Sequence, residues 1–271
     1  MTAEEKAGLA RFLDLASVCA RGGYADTRGE YDFDDDPEPE GDVSAGAKPE
    51  PENAPGVYAA PSAGLFADDR EGAGFPENDD LELIESDARS CGACRLAQTR
   101  KNAVPGEGSR RPLVMVIGEG PGADEDETGR PFVGKAGQLL DKMLAAIDLS
   151  REKNCFIANV IKCRPPNNRD PNPDETAACA PFLARQVRLL KPAFVLCAGR
   201  IAAQTLLDTT DGIGKLRGKV SRLNIAGMSV PFLATYHPSA LLRNEDLKRP
   251  AWEDLKLLRT ALTEMGLDPA D

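Results

Sequence analysis

The sequence predicts an α/β fold of three layers, α/β/α, with helices on both faces of a central, mainly parallel sheet of four strands. Three observations carry this expectation. Short apolar runs occupy residues 113–117, 155–158, 193–199 and 230–234, and uninterrupted apolarity is what a strand buried on both faces shows. Between the runs lie segments with apolar residues at helical spacing, and strands alternating with helices imply parallel βαβ units. The first run ends in the glycine loop Gly118-Glu119-Gly120-Pro121-Gly122, and the last runs into His237-Pro238, so loops that could hold a ligand follow the carboxyl ends of strands.

The elements follow in chain order. Within residues 1–30, Thr2-x-x-Glu5 resembles a capping box, and Leu9, Phe12, Leu13 and Ala16 recur at helical spacing, so a short amphipathic helix is expected over 2–20. Residues 31–82 form an acidic linker of Asp, Glu, Pro, Gly and Ala without a sustained apolar period, and such composition predicts disorder. The folded domain is expected over 83–271. After the strand at 113–117, Leu139, Leu140, Met143, Leu144 and Ile147 mark a helix over 136–147. Helices are also expected over 173–190 and 200–207, and Trp252, Leu255, Leu258 and Leu262 mark a closing helix.

Charge divides the chain. Residues 1–88 carry 6 Lys/Arg against 23 Asp/Glu, and the remainder 27 against 21, so a mildly basic domain follows an acidic arm. No apolar run approaches the length needed to span a membrane, and Met1 is followed by Thr-Ala-Glu-Glu rather than a basic leader. A cytoplasmic protein without a membrane partner is expected.

Seven cysteines without a secretion signal favour metal over a disulfide framework. Cys91-Gly92-Ala93-Cys94 is a C-x2-C half-site. Cys155 and Cys197 lie inside apolar strand runs, and Cys19 belongs to the separate N-terminal helix. Cys163 and Cys179 remain to complete a quartet. Four thiolates suit either zinc or an iron–sulfur cluster, and spacing does not decide between them.

Gly129-Arg130-Pro131-Phe132-Val133-Gly134-Lys135-Ala136 nearly matches a phosphate-binding loop. Ala136 has no hydroxyl for a magnesium ion and Pro131 removes a backbone donor, so nucleotide hydrolysis is set aside. The sole histidine, His237, stands where the last strand stops. Pro238 ends the ladder there and keeps the preceding residue extended.

In order and spacing, Cys91-x-x-Cys94, the loop from Gly118 to Asp126 with Gly129 to Gly137, the run Asn159-Val160-Ile161-Lys162-Cys163-Arg164-Pro165-Pro166-Asn167-Asn168-Arg169, and His237-Pro238-Ser239 resemble a family 4, iron–sulfur uracil-DNA glycosylase. The resemblance runs from about residue 88 to the C-terminus and leaves out the acidic arm. It implies a [4Fe-4S] cluster on Cys91, Cys94, Cys163 and Cys179, and a DNA-repair activity on uracil-containing DNA, single- or double-stranded. That activity flips uracil out, hydrolyses its N-glycosidic bond and leaves an abasic site without strand cleavage. It also implies Phe132 as the ring that stacks on the base and Asn159 as the reader of its edge. His237 would donate to O2, together with backbone N–H groups around Glu119 and Gly120. In the best-known branch of the superfamily an aspartate stands where this chain has Gly120, which leaves Glu119 and Glu125 as the carboxylates able to orient water. Leu241 falls where related enzymes insert an apolar wedge, and Arg243, Arg164, Arg169 and Lys162 are candidate phosphate contacts. The alternative is a non-enzymatic iron–sulfur nucleic-acid-binding module. The chain is expected to act as a monomer; the N-terminal helix could dock on the core, the favoured reading, or on a protein partner, and the acidic arm could dock a protein, imitate DNA charge or have no specific role.

Overall fold

A computed structural model describes residues 78–270. The expected N-terminal helix and most of the acidic linker lie outside these residues. The described chain opens on α1 (Leu81–Ser90), whose N-cap Asp80 accepts the Leu83 amide at 2.7 Å. Because this cap precedes the expected boundary at 83, the helix begins inside the segment read as linker.

The strands are β1 (Glu107–Gly108), β2 (Val114–Gly118), β3 (Cys155–Asn159), β4 (Phe194–Ala198), β5 (Val220–Ile225) and β6 (Met228–Thr235), in the sheet order β1-β3-β2-β4-β6-β5. The four expected strands form its parallel centre, β3-β2-β4-β6. Two antiparallel edge strands, β1 and β5, were not expected from the sequence. Strand β1 is two residues long, and β5 alternates exposed Arg222 and Asn224 with buried Leu223 and Ile225, so neither shows a continuous apolar run. The β5–β6 hairpin turns on Ala226 and Gly227, with φ of 52° and 73°, the doubly positive geometry that fits the right-handed twist of paired strands.

The helices after α1 are α2 (Ala123–Thr128), α3 (Lys135–Ala145), α4 (Pro173–Leu190), α5 (Arg200–Leu207), α6 (Ile213–Leu216), α7 (Pro238–Arg243) and α8 (Lys248–Glu264). Side chains alternate across a strand, and the two cores obey that period. Met115, Ile117, Val195 and Cys197 join Leu183 and Val187 of α4 and Ala202 and Ala203 of α5 on one face. Val114, Val116, Cys155 and Leu196 join Leu139 and Met143 of α3 and Trp252, Leu255 and Leu258 of α8 on the other. These are the three expected layers. Each fully buried leucine here contributes about 1.5–3 kcal/mol relative to exposure. No helix among the described residues is long and apolar enough to cross a membrane.

Because β2, β3, β4 and β6 run parallel, Gly118, Asn159, Gly199 and His237 come to the same edge of the sheet. One expectation at this edge is overturned. Leu241, read as an inserting wedge, is fully buried in the second core. Residues 238–243 form a helix rather than a loop, and a spacing of three puts Leu241 on the same inward face as buried Pro238. The next residues, Leu242 and Arg243, are half-buried and exposed. Replacing Leu241 with Ala should therefore lower unfolding free energy by about 2–5 kcal/mol, measured by urea denaturation. A change near zero would contradict this packing.

Candidate active site

A cavity of about 290 Å³ opens at the carboxyl edge of the sheet, with Glu119, Gly120, Phe132, Asn159, Tyr236 and His237 among its lining. Phe132, Asn159 and His237 come from three separate parts of the chain and meet here.

Phe132 lies between α2 and α3 with φ of 51°, a conformation that costs an L-residue free energy unless its surroundings impose it. Its ring centroid is 5.6 Å from that of His237, at an interplanar angle of 33°. Glu125 helps to hold the segment: Oε1 accepts the amides of Val133 at 2.8 Å and Gly134 at 3.0 Å, and Oε2 accepts that of Gly122 at 3.1 Å. Glu125, read as a carboxylate able to orient water, therefore has both oxygens engaged as a loop clamp. The glycines and proline around Phe132 marked a loop in the sequence, but nothing in it marked this clamp.

Asn159 ends β3 directly opposite Gly118 of β2. It is almost fully buried, and its Oδ1 has no hydrogen-bond partner. A buried polar atom left unpaired costs about 1–3 kcal/mol, so this oxygen is set to receive a donor that enters the cavity. A Cβ on Gly118 would stand 2.5 Å from Asn159 Oδ1 and 2.6 Å from Phe132 Cζ, which shows how closely ring and carboxamide converge. The main-chain oxygen of Asn159 accepts from Lys162 Nζ at 2.9 Å, and the same ammonium donates to Gln186 Oε1 at 2.8 Å. Lys162, read as a phosphate contact, is fully buried and braces the end of β3 instead. Its partner Gln186 lies 24 residues away, beyond the reach of a local pattern.

Glu119 and His237 have their protonation shifted in opposite directions. Burial raises the Glu119 carboxyl to about 7, Asp170 pushes it further in the same direction, and Arg200 opposes. Burial lowers His237 to about 4, with Arg243 adding to the shift. His237 caps α7: its Nδ1 accepts the Ser239 amide at 3.2 Å and lies 2.8 Å from Ser239 Oγ. With its Nδ1 lone pair accepting, the neutral ring carries its proton on Nε2. Strand β4 delivers Gly199 against this ring, where a Cβ would stand 2.9 Å from His237 Cβ. Gly120 is equally tight, since a Cβ there would stand 2.8 Å from Ile161 Cγ1.

The expected phosphate contacts separate. Arg243 is exposed at the mouth of the cavity. Arg164 donates through Nε to Asn168 Oδ1 at 2.7 Å. Arg169 grips fully buried Glu175 at 2.6 and 2.8 Å, and this contact is the main reason the Glu175 carboxyl is held down to about 2. Its guanidinium is thus committed within the fold.

Cys91 and Cys94 follow α1, Cys163 follows β3, and Cys179 lies on α4. Cys155 and Cys197 are fully buried in strands, as their apolar surroundings implied. Donors point at three sulfurs of the quartet: the Ala93 amide at Cys91 (3.5 Å), Arg100 Nη1 at Cys163 (3.0 Å) and the Lys162 amide at Cys179 (3.2 Å). Burial raises the Cys163 thiol, and the hydrogen bond from Arg100 opposes that shift. Among the described residues no three His, Cys, Asp or Glu side chains are gathered tightly enough to hold an ion by themselves. The all-sulfur donor set with N–H groups turned toward it nonetheless fits an iron–sulfur cluster.

Residues 105–256 match the uracil DNA glycosylase superfamily. The chain is 43% identical over 195 residues to the type-4 uracil-DNA glycosylase of Pyrobaculum aerophilum, covering 70% of this chain and 99% of that protein. It is 44% identical over 190 residues to the type-4 uracil-DNA glycosylase of Saccharolobus solfataricus, covering 68% and 88%. With that of Archaeoglobus fulgidus it shares 43% over 180 residues, covering 65% and 90%.

As the chain has one histidine, its imidazole can be followed without assignment. In ¹⁵N NMR, His237 should remain neutral with the proton on Nε2 down to about pH 5, and titrate near 4. A midpoint near 6.5, the ordinary histidine value, would contradict the burial described.

Proposed function

The chain belongs to the uracil DNA glycosylase superfamily, on the branch of its type-4 relatives, and from this premise we infer that it removes uracil from DNA by hydrolysing the N-glycosidic bond. It is a monofunctional base-excision-repair enzyme whose product is an abasic site. The observation that carries the reading is the buried, unpartnered Oδ1 of Asn159 beside the ring of Phe132.

Extruding a nucleotide costs a few kcal/mol. Stacking on Phe132 offsets part of that, at about 1–3 kcal/mol per base. The Asn159 carboxamide presents an acceptor to uracil N3–H and a donor to O4. Cytosine offers the reverse pattern and would leave both groups unpaired, and mismatches of that kind discriminate by orders of magnitude. A non-enzymatic binding module would have no need of this convergence.

As the C1′–N1 bond breaks, its electron pair leaves with uracil and gathers at O2. The Nε2–H of neutral His237 donates to that oxygen, with N–H groups of the loop at Glu119 and Gly120 beside it, as in an oxyanion hole. Glu119 serves as the base. Its carboxylate takes a proton from water while the water oxygen bonds to C1′, and solvent returns a proton to the departed uracil. A side chain at position 120 would press on Ile161, whose side chain would have to shift to admit it. Arg243 at the mouth is suited to a DNA phosphate.

Cys91, Cys94, Cys163 and Cys179 hold a [4Fe-4S] cluster, which supplies a cross-link rather than electron transfer. Cys163 lies four residues beyond Asn159, so the ligands tie the base-reading end of β3 to the N-terminal knuckle and α4.

Purified protein incubated with a uracil-containing oligonucleotide, then treated with alkali, should yield strand breaks at uracil. Absence of uracil release from both single- and double-stranded substrates would overturn the reading. Asn159→Ala and His237→Ala should each lose about 10²–10³ in rate while retaining the brown chromophore, and Cys163→Ala should lose colour and activity together. Glu119 acts as a base only when ionised, so kcat/KM should rise with pH through about 7 and level off above. In Glu119→Gln the rate should be low and without that rise; a wild-type profile in the variant would remove Glu119 from the mechanism.

A further inference from the structure

Arg151 lies in the turn between α3 and β3, away from every motif that marks the pocket, and its side chain is only 8% exposed. Its hydrogen bonds divide into two sets. Nε and Nη2 reach Asp141 Oδ1 at 3.0 and 2.7 Å, and Nη1 reaches Glu107 Oε1 at 2.9 Å, which fixes the guanidinium to α3 and β1. The other set runs to main-chain oxygens: Nη1 to Pro131 O at 3.0 Å and Nη2 to Phe132 O at 2.9 Å.

Those two consecutive carbonyls flank the positive-φ position that aims the Phe132 ring. Both hydrogen bonds are buried, where charge-assisted bonds are strong and an unmet carbonyl is costly. Helix α3 closes on the same segment, since a Cβ on Gly137 would stand 1.9 Å from Phe132 O. The planar fork of arginine can satisfy both carbonyls and the two carboxylates at once, which an ammonium cannot do in one plane. We propose that Arg151 is a positioning residue for base capture, holding the Phe132 backbone in the strained conformation that turns its ring into the pocket.

This rests on Phe132 as the ring that stacks on the base, and the test separates the two claims. The probes are an oligonucleotide with one uracil on a 2′-fluoro sugar that resists hydrolysis, and the same strand with a tetrahydrofuran abasic analogue. Each is titrated by fluorescence anisotropy against wild type, Phe132→Ala, Arg151→Met and the double variant. Loss of stacking corresponds to about 5- to 150-fold weaker binding. Arg151→Met should weaken binding of the uracil strand toward the Phe132→Ala value, leave the abasic strand unchanged, and add nothing in the Phe132→Ala background. Wild-type binding by Arg151→Met, equal loss on both strands, or additive losses would overturn the positioning role. An unaffected Phe132→Ala would instead overturn the stacking reading beneath it. Should Arg151→Met fail to fold, Asp141→Asn decides: it removes a charged anchor that is 47% exposed while keeping the guanidinium, and should weaken uracil-strand binding selectively, whereas no selective loss would overturn the proposal.

Discussion

The pocket depends on a missing side chain. Gly118 ends β2 opposite Asn159, and the space its Cβ would fill is occupied from two directions, by the Phe132 ring and by Asn159 Oδ1. No other residue could stand there without driving ring and carboxamide apart. The surrounding structure maintains this close approach: Glu125 and Arg151 hold the Phe132 segment by its backbone, and Lys162 braces the end of β3. The arrangement is therefore held by the fold itself, and it leaves Asn159 Oδ1 buried without a hydrogen-bond partner. Recognition and preorganisation share one origin.

Burial also sorts the ionisable groups. Removing water disfavours the charged form of either kind of group, so it moves the Glu119 carboxyl up and the His237 imidazole down. Near neutral pH the imidazole is uncharged and can donate through Nε2, and the carboxyl stands at the midpoint of its titration. A shared environment thus moves both groups toward their uncharged forms, the carboxyl upward and the imidazole downward. Next to Glu119, Gly120 fits closely against the side chain of Ile161.

How much of this was legible in the sequence follows from the range of the forces involved. The four central strands are buried on both faces, so each reads as an unbroken apolar run. Strand β5 is half-buried and β1 is two residues long, and neither carries that mark. His237 stood out because it is the only histidine and precedes proline; Phe132 and Asn159 were reached through the family resemblance. The misreadings concern residues whose partners are distant or whose helical phase was not evident. Leu241 turned inward once 238–243 became helix, Lys162 found Gln186 across the fold, and Glu125 closed on amides eight and nine residues ahead. Arg169 pairs with Glu175 only six residues on, but nothing in the sequence shows that Glu175 would be buried.

The central claim is that Asn159 Oδ1 accepts the N3–H of an extruded uracil, and N3-methyluracil tests it most directly. The base would be carried on a hydrolysis-resistant sugar in an oligonucleotide, and its dissociation constant compared with that of the uracil strand for wild type and Asn159→Ala. The methyl group should reduce wild-type binding to that of a strand without uracil and change little in Asn159→Ala. Equal wild-type affinity for the methylated and unmethylated bases would contradict the account.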